Sequence, residues 1–120
     1  MVAKDYRFSF EKLNVWQDTR SFVSFVYKIT QKFPDYEKFG VTNQIRRTAL
    51  SVSANIAEGS SRTSFKDQAH FTQLAYSSLM EVLSHFCIAL DLDFISKETF
   101  ELLKPKIYDI SNQLNALRCS

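Results

Sequence analysis

The sequence predicts an all-α protein, an antiparallel up-down-up-down four-helix bundle that forms one domain over residues 1–120. The first observation behind this prediction is that only two glycines and two prolines occur, too few for the turns of a β-sandwich or barrel. The second is that apolar residues recur at alternating spacings of three and four in four separate segments. The third is that short connections join these segments, so successive helices must lie side by side in opposite directions.

The first helix is predicted over about 15–33, and Pro34 ends it because the residue before a proline is pushed out of the helical conformation. Its apolar face is wider than one helix partner requires. Two stripes run side by side, one formed by Thr19, Phe22, Val26, Ile29 and Phe33, the other by Trp16, Val23, Tyr27 and Thr30. We therefore expect part of this face to bury against other copies of the chain.

The second helix is predicted over about 42–59, with Thr42 or Asn43 as its N-cap. Gly59 is expected just past the last turn, where glycine tolerates left-handed backbone. Small residues dominate this helix, namely Ala49, Ser51, Ser53, Ala54 and Ala57. A helix of this composition can approach its neighbours closely, which also favours self-assembly.

The third and fourth helices are predicted over about 63–91 and 96–118. Thr63 or Ser64 caps the third, and Ser96 caps the fourth, where Glu98 in the first turn suits the helix dipole. Pro105 lies off the apolar seam of the fourth helix, so it should kink that helix outward. The seam has the strict repeat of coiled-coil-like packing and consists of Phe100, Leu103, Ile107, Ile110, Leu114 and Leu117.

The composition is that of a folded globular protein, since hydrophobic residues make up 45% and charged residues 23% of the chain. The longest stretch without a formally charged side chain, from Gln68 to Met80, is half polar and falls short of the roughly 20 apolar residues of a membrane span. The charged first residues have no apolar segment behind them, so we expect no secretory signal. These observations predict a soluble, cytoplasmic protein without a membrane partner.

The two cysteines, Cys87 and Cys119, lie in apolar helical contexts without CxxC spacing. We expect free thiols in a reducing cytoplasm, with Cys87 as a buried, unreactive side chain; a disulfide between the two is the alternative.

The sequence contains no pattern that predicts catalysis, a metal or a cofactor, so we expect a protein that is not an enzyme. The closest approaches to a metal motif are Asp67-x-x-His70 and the pair Glu81 and His85, and both lie on one helix. Glycine-rich nucleotide loops and nucleophile elbows are absent from the sequence.

A polar motif at the end of the second helix contains Asn55 and Glu58, one turn apart on the same side. Glu58 faces the unfavourable end of the helix dipole, so it should have a cationic partner. Arg47, Arg62 or an arginine of a neighbouring subunit could supply it. We interpret Asn55 and Glu58 as a polar clasp that fixes the register of the bundle or of its subunits, with a ligand site as the alternative.

A basic set surrounds the second helix and the start of the third, formed by Arg46, Arg47, Arg62 and Lys66. The formal charge of one chain is only +2, but a ring of five copies would carry about +10 and attract a polyanion. These four residues are therefore the predicted nucleic-acid contacts. Three residues of the fourth helix could extend the patch: Lys104, Lys106 and Arg118.

These motifs resemble the "four helix bundle protein" family, also called the 23S rRNA intervening-sequence or S23 family. The resemblance covers about residues 10–117, and its most specific part is the second helix. The chain differs from the family pattern at Ser53, where proline is usual, and at Ser77, where glycine is usual. We expect both positions to lie on tight helix contacts. The matching stretches are Phe10–Leu13, Val15–Trp16, Phe33–Pro34, Phe39–Gly40, Asn43–Arg47, Ser51–Val52, Asn55–Gly59, Arg62, Phe71, Leu74–Ala75, Ser78–Leu79 and Glu81.

The resemblance implies a cytoplasmic bacterial protein, of a kind often encoded within insertions in large-subunit rRNA genes, that assembles as a homopentamer with a central channel. It is also similar to the accessory protein of diversity-generating retroelements, a basic pentameric barrel that associates with reverse transcriptase and nucleic acid. The family brings no enzymatic activity and no cofactor.

Two functional hypotheses follow. In the first, the protein is a non-enzymatic, oligomeric nucleic-acid-binding accessory protein that associates with RNA, or with DNA, with weak sequence specificity. In the second, it is a protein–protein interaction scaffold of unassigned role, whose partner docks on exposed aromatic faces of the first helix and the segment before it. The aromatic residues on which the second hypothesis depends are Phe8, Phe10, Phe22, Phe25 and Tyr27.

Overall fold

The computed structural model describes Lys4 and residues 6–118, and within this part of the chain the regular secondary structure is entirely helical. A short 3-10 helix, Ser9–Lys12, precedes α1, and a second, Asp35–Glu37, lies between α1 and α2. The four α-helices are α1 (Asn14–Thr30), α2 (Val41–Ser60), α3 (Phe65–Asp91) and α4 (Lys97–Arg118). The predicted all-α class with four helices is therefore confirmed.

The first helix ends at Thr30, three residues before the predicted end. Beyond Thr30, backbone amides donate to the carbonyl three residues earlier instead of four. The amide of Phe33, for example, donates to the carbonyl of Thr30 at 3.1 Å. This tighter turn still buries Phe33, whose ring lies edge-on to that of Phe86 with centroids 6.4 Å apart. The apolar stripe that ends at Phe33 therefore faces the core along its whole length, although its last turn is not α-helical.

The N-terminus of α2 is capped by a residue outside the helix, which corrects the prediction of a Thr42 or Asn43 cap. The Glu37 carboxylate accepts a hydrogen bond from the amide of Val41 at 3.0 Å. Gly40 occupies the N-cap position, and a Cβ there would collide with the same carboxylate. An acidic group at this end also complements the helix dipole.

The position of Gly59 corrects a second prediction, because this glycine is inside α2 and has no left-handed backbone. It is buried at the crossing with α3, and a Cβ at this position would lie 3.2 Å from the Cβ of Phe71. Glycine is therefore needed for the close approach of two helices rather than for ending one.

The caps of α3 and α4 follow the sequence. The Ser64 hydroxyl accepts from the amide of Asp67 at 3.1 Å, and the Ser96 hydroxyl accepts from the amide of Thr99 at 3.1 Å. Between these helices Asp93 adopts left-handed backbone with φ of 62°, and the amide of Phe94 donates to the carbonyl of Ala89 at 2.9 Å. Pro105 is exposed within α4, away from the core.

Each helix packs against two others: α2 lies between α1 and α3, and α4 lies between α3 and α1. The core combines all four apolar stripes, with Phe22 and Val26 from α1, Ile45 and Val52 from α2, and further residues from the other helices: Leu79, Val82, Phe86, Leu103, Ile107, Ile110 and Leu114. None of the helices in the described part is long and apolar enough to cross a bilayer.

Candidate nucleic-acid interface

Arg46 is held against α1 and is half-buried. Its Nε donates to the Thr30 hydroxyl at 2.8 Å and its Nη2 donates to the Tyr27 carbonyl at 3.3 Å. The guanidinium carbon lies 4.7 Å from the centre of the Tyr27 ring. Tyr27 and Thr30 belong to the second apolar stripe of α1, so Arg46 covers this part of the stripe within the subunit.

Arg47 follows directly in sequence but is exposed. Successive residues in a helix point about 100° apart, so the Arg47 side chain points away from the α1 interface that Arg46 contacts. Of the two arginines, Arg47 is the one whose charge faces solvent.

Glu58 pairs with Arg62, at 2.5 Å between Oε1 and Nη2. This is the cationic partner that the helix dipole required, and it comes from the same chain. The guanidinium also lies 4.6 Å from the centre of the Phe71 ring, and the Gln68 side-chain amide donates to the Arg62 carbonyl at 2.8 Å. The turn between α2 and α3 is thus fixed by side chains from both helices.

Asn55 does not contact Glu58 but joins a separate network. Its Nδ2 donates to the Ser51 carbonyl at 2.9 Å and lies 3.1 Å from the Ser51 hydroxyl. The Ser51 and Ser78 hydroxyls are hydrogen-bonded at 3.0 Å across the α2–α3 contact. Asn55 therefore fixes the register of α2 on α3, whereas Glu58 fixes the turn that follows.

The four predicted contact residues do not form one cluster. Arg46 and Arg47 lie near the start of α2, whereas Arg62 and the exposed Lys66 lie beyond its end. A helix of this length is about 30 Å long. The structure thus separates two pairs of cations along α2, with one member of the first pair already engaged by α1.

Basic side chains in the described part of the chain rest on aromatic rings more often than on carboxylates. With Arg7 set aside, Arg62 is the only described lysine or arginine in an ion pair. The carboxylates bind amides instead, since Glu11 accepts from the amide of Phe8 at 2.7 Å and Asp18 accepts from the Gln113 side chain at 2.8 Å. Seven cations lie over rings: Arg20, Lys38, Arg46, Arg62, Lys104, Lys106 and Arg118.

The aromatic residues expected to be exposed on and before α1 are mostly buried or packed. Phe22 is in the core, Phe25 and Tyr27 are half-buried beneath cations, and Phe10 lies edge-on to Trp16 with centroids 4.8 Å apart. Among those five, only Phe8 is exposed. Other aromatic rings, not predicted from the sequence, are exposed in loops, at helix starts or off the α4 seam: Tyr6, Tyr36, Phe39, Phe65 and Tyr108.

One end of the molecule contains a cavity of about 440 Å³ between the 3-10 lead-in, the end of α2, the start of α3 and the end of α4. Leu13, Ile56 and Ala69 are among the apolar residues that line it, and Phe65 and Arg118 lie at its edge. A more open apolar groove of about 780 Å³ lies elsewhere, beside α4, and includes Phe100, Pro105 and Tyr108.

The described cysteine and histidine side chains, considered above as a nucleophile or as metal ligands, do not come together in one site. Cys87 is exposed, which corrects the expectation of a buried thiol, because this position faces outward from the α3 stripe; Cys119 lies outside the described residues. His70 is exposed and His85 half-buried, and no three potential metal ligands come together within the described chain. Ser77 is exposed, so it is not in a tight contact within the subunit, and Ser53 is half-buried.

Comparison with known proteins supplies a family but no established role. No curated protein matches the chain significantly. The fold is similar to a crystal structure from Bacteroides thetaiotaomicron, described as a protein with unknown function from the S23 ribosomal protein family. The TM-score is 0.82 at 20% identity, and the match covers 88% of this chain and 96% of that one. The family model of the 23S rRNA-intervening sequence protein matches residues 11–116, which include all of α2 and α3, and the chain therefore belongs to that family.

Proposed function

We propose that this protein is a non-enzymatic, oligomeric accessory protein that binds nucleic acid, and RNA in particular, with weak sequence specificity. The observation that carries the proposal is that the described cations, Arg7 aside, are almost entirely without carboxylate partners. A cation without a carboxylate partner can exchange its counterion for a phosphate without first breaking an ion pair within the protein. The family name, which refers to sequences inserted in 23S rRNA, points to RNA rather than DNA.

Arg47 and Lys66 are the proposed phosphate contacts, since both are exposed. Arg62 is a weaker candidate because Glu58 already neutralises it. Arg46 has the structural role of joining α2 to α1, and its hydrogen bonds to Thr30 and Tyr27 would have to break before it reached a phosphate. Of the four predicted residues, Arg47 and Lys66 therefore form the proposed interface, Arg62 is a weaker contact and Arg46 is structural.

The proposed architecture is an up-down-up-down antiparallel bundle that assembles as a homopentameric ring in the cytoplasm. Contact pairs support opposite directions for neighbouring helices, since Gly59 meets Phe71 while Ser51 meets Ser78. Leu50, an exposed apolar side chain on α2, supports burial against another copy. Five copies would repeat Arg47 near the start of α2 and Lys66 beyond its end, as two bands of cations on a ring with a net charge of about +10.

The test is the affinity of the purified protein for a labelled structured RNA at low salt, measured by fluorescence anisotropy. We expect wild-type protein to bind and the double variant Arg47→Ala/Lys66→Ala to bind at least about 10-fold more weakly, as for the loss of charge-assisted phosphate contacts. Unchanged affinity in this variant would contradict the assignment of the two residues.

The control is the double variant Lys28→Ala/Lys97→Ala. It removes the same formal charge from two other exposed positions, so it separates a specific interface from the general effect of net charge. The two double variants are compared at about 0.15 M salt, where long-range fields are screened within about 8 Å, and there we expect the affinity of the control to stay within about 3-fold of wild type. An equal loss in both variants would mean that binding has no defined site.

A protein–protein scaffold is the second candidate function, and the apolar groove beside α4 favours it. Phe100, Pro105 and Tyr108 line this groove, and Tyr108 is exposed. A reverse transcriptase is the kind of partner that the resemblance implies. Affinity capture after nuclease treatment distinguishes the two functions, because a partner that remains bound does not need nucleic acid as a bridge.

A further inference from the structure

The cavity at the end of α2 has the size and lining of a ligand site. Its volume is about 440 Å³, and small-molecule sites in proteins enclose about 300–1,000 Å³. Four elements contribute walls, including Leu13 from the lead-in, Ile56 and Gly59 from α2, and Ala69 from α3. Gly59, where α2 and α3 approach closely, forms part of the cavity wall.

Phe65 stands at the edge of this cavity with 85% of its surface exposed. It is the first residue of α3, and the preceding Ser64 caps that helix through the amide of Asp67. The buried stripe of α3 begins only at Thr72, so the fold does not use the Phe65 ring. An exposed ring on a capped helix end offers a flat face next to an apolar cavity.

One cation, Arg118, lines this cavity, and a second, Lys66, directly follows Phe65 on α3. The Arg118 guanidinium is held over the Tyr76 ring, at 4.5 Å from the guanidinium carbon to the ring centre, and it also donates hydrogen bonds to the side-chain oxygens of Gln73 and Asn115. Lys66 is exposed, and the Arg62 carbonyl accepts from Gln68, which also lines the cavity. Glu58 is occupied by Arg62, which leaves Asp67 as the nearby carboxylate on α3.

We propose that this cavity holds an unpaired base of single-stranded nucleic acid, with the base against the Phe65 ring and its flanking phosphates near Lys66 and Arg118. The inference rests on the proposed nucleic-acid function and adds the class of ligand and the residue that recognises it. An aromatic ring accepts any base by stacking, and nearby cations bind the backbone. This combination selects unpaired over paired strands without reading sequence, since a base within a duplex cannot expose its face.

The test compares a labelled single-stranded RNA oligonucleotide with the same strand in a fully paired duplex, at low salt. We expect Phe65→Ala to weaken binding of the single strand by about 10-fold or more, as for the loss of one stacked base, and to leave duplex binding unchanged. Phe65→Trp should restore single-strand binding because it keeps a stacking face. Since Phe65 is exposed, these variants should fold normally, which a thermal melt checks.

The matched control is Phe39→Ala. Phe39 is 88% exposed and lies beside a lysine, as Phe65 does, with the Lys38 ammonium 5.7 Å from its ring centre. It belongs to the loop before α2 and is remote from the cavity, so its removal should not change affinity for either RNA. An equal loss in Phe39→Ala and Phe65→Ala would overturn the inference.

A second variant, Ala69→Phe, fills the cavity and should lower single-strand affinity while Phe65 is intact.

The inference fails if Phe65→Ala binds the single strand as wild type does, even where Arg47→Ala/Lys66→Ala binds weakly; the proposed function then stands without this site. Absence of wild-type binding to both RNAs at low salt would overturn the inference and the proposed function together.

Discussion

The pair Arg46 and Arg47 shows how adjacent identical residues acquire different roles. Sequence places both in one basic patch, but the tertiary contact with Tyr27 and Thr30 engages only Arg46. The pattern of α1 predicted that the stripe containing Tyr27 and Thr30 would need a partner. It could not predict that the partner is a guanidinium, since that depends on the register between α1 and α2.

This difference predicts unequal stability effects for the two arginines. Arg46→Ala should lower the free energy of unfolding by about 1–3 kcal/mol, because two hydrogen bonds and a cation–π contact are lost at a half-buried position. Arg47→Ala should change it by no more than about 0.5 kcal/mol, as is usual for an exposed side chain. Urea denaturation followed by circular dichroism at one protein concentration measures both; equal effects would contradict the structural role of Arg46.

At the scale of the helices, periodicity and caps predicted most of the fold. The buried stripes of α1 and α2 and the caps Ser64 and Ser96 are local properties, and the structure has them. The seam of α4 is buried from Leu103 to Leu114, whereas Phe100 is half-buried and Leu117 is exposed. The misplaced features depend on residues outside the helix concerned. The Glu37 cap of α2 comes from the preceding loop, and the need for Gly59 comes from Phe71 on another helix.

The α2–α3 crossing gives a prediction at this scale. Gly59→Leu should lower the free energy of unfolding by about 1–3 kcal/mol, because the new side chain overpacks the contact with Phe71 and forces the helices apart. Ala54→Leu places the same side chain at an exposed position of the same helix, so it should cost no more than about 0.5 kcal/mol. Thermal melts of the two variants check this; a stability for Gly59→Leu at or above wild type would show that the crossing is not tight.

For the whole molecule, the sequence predicted the fold class and the family, but not where the residues of the candidate site lie relative to one another. The order of α1 to α4 and the family match follow from patterns that extend along the chain. The candidate site depends on which cations lack carboxylates, and on Phe65 and Arg118 meeting at one cavity. Both features depend on distances between residues of different helices, and the spacing of residues along one helix does not predict those distances.

The proposed assembly predicts the mass of the native particle. Five copies of a 13.9 kDa chain amount to about 70 kDa if the closed ring forms by cyclic symmetry. Light scattering coupled to size-exclusion chromatography measures this mass directly. A mass of one or two chains over a range of concentrations would contradict the ring and the proposed repetition of Arg47 and Lys66 around it.

The central claim, that exposed cations on and beside α2 bind phosphate, is tested most directly by the salt dependence of RNA affinity. The logarithm of the association constant should fall linearly with the logarithm of salt concentration, with a slope of about 0.7–0.9 for each phosphate contact. For Arg47→Ala/Lys66→Ala we predict a shallower slope together with weaker binding, and for Lys28→Ala/Lys97→Ala the wild-type slope. An unchanged slope in Arg47→Ala/Lys66→Ala, or wild-type protein that does not bind RNA at low salt, would contradict the account.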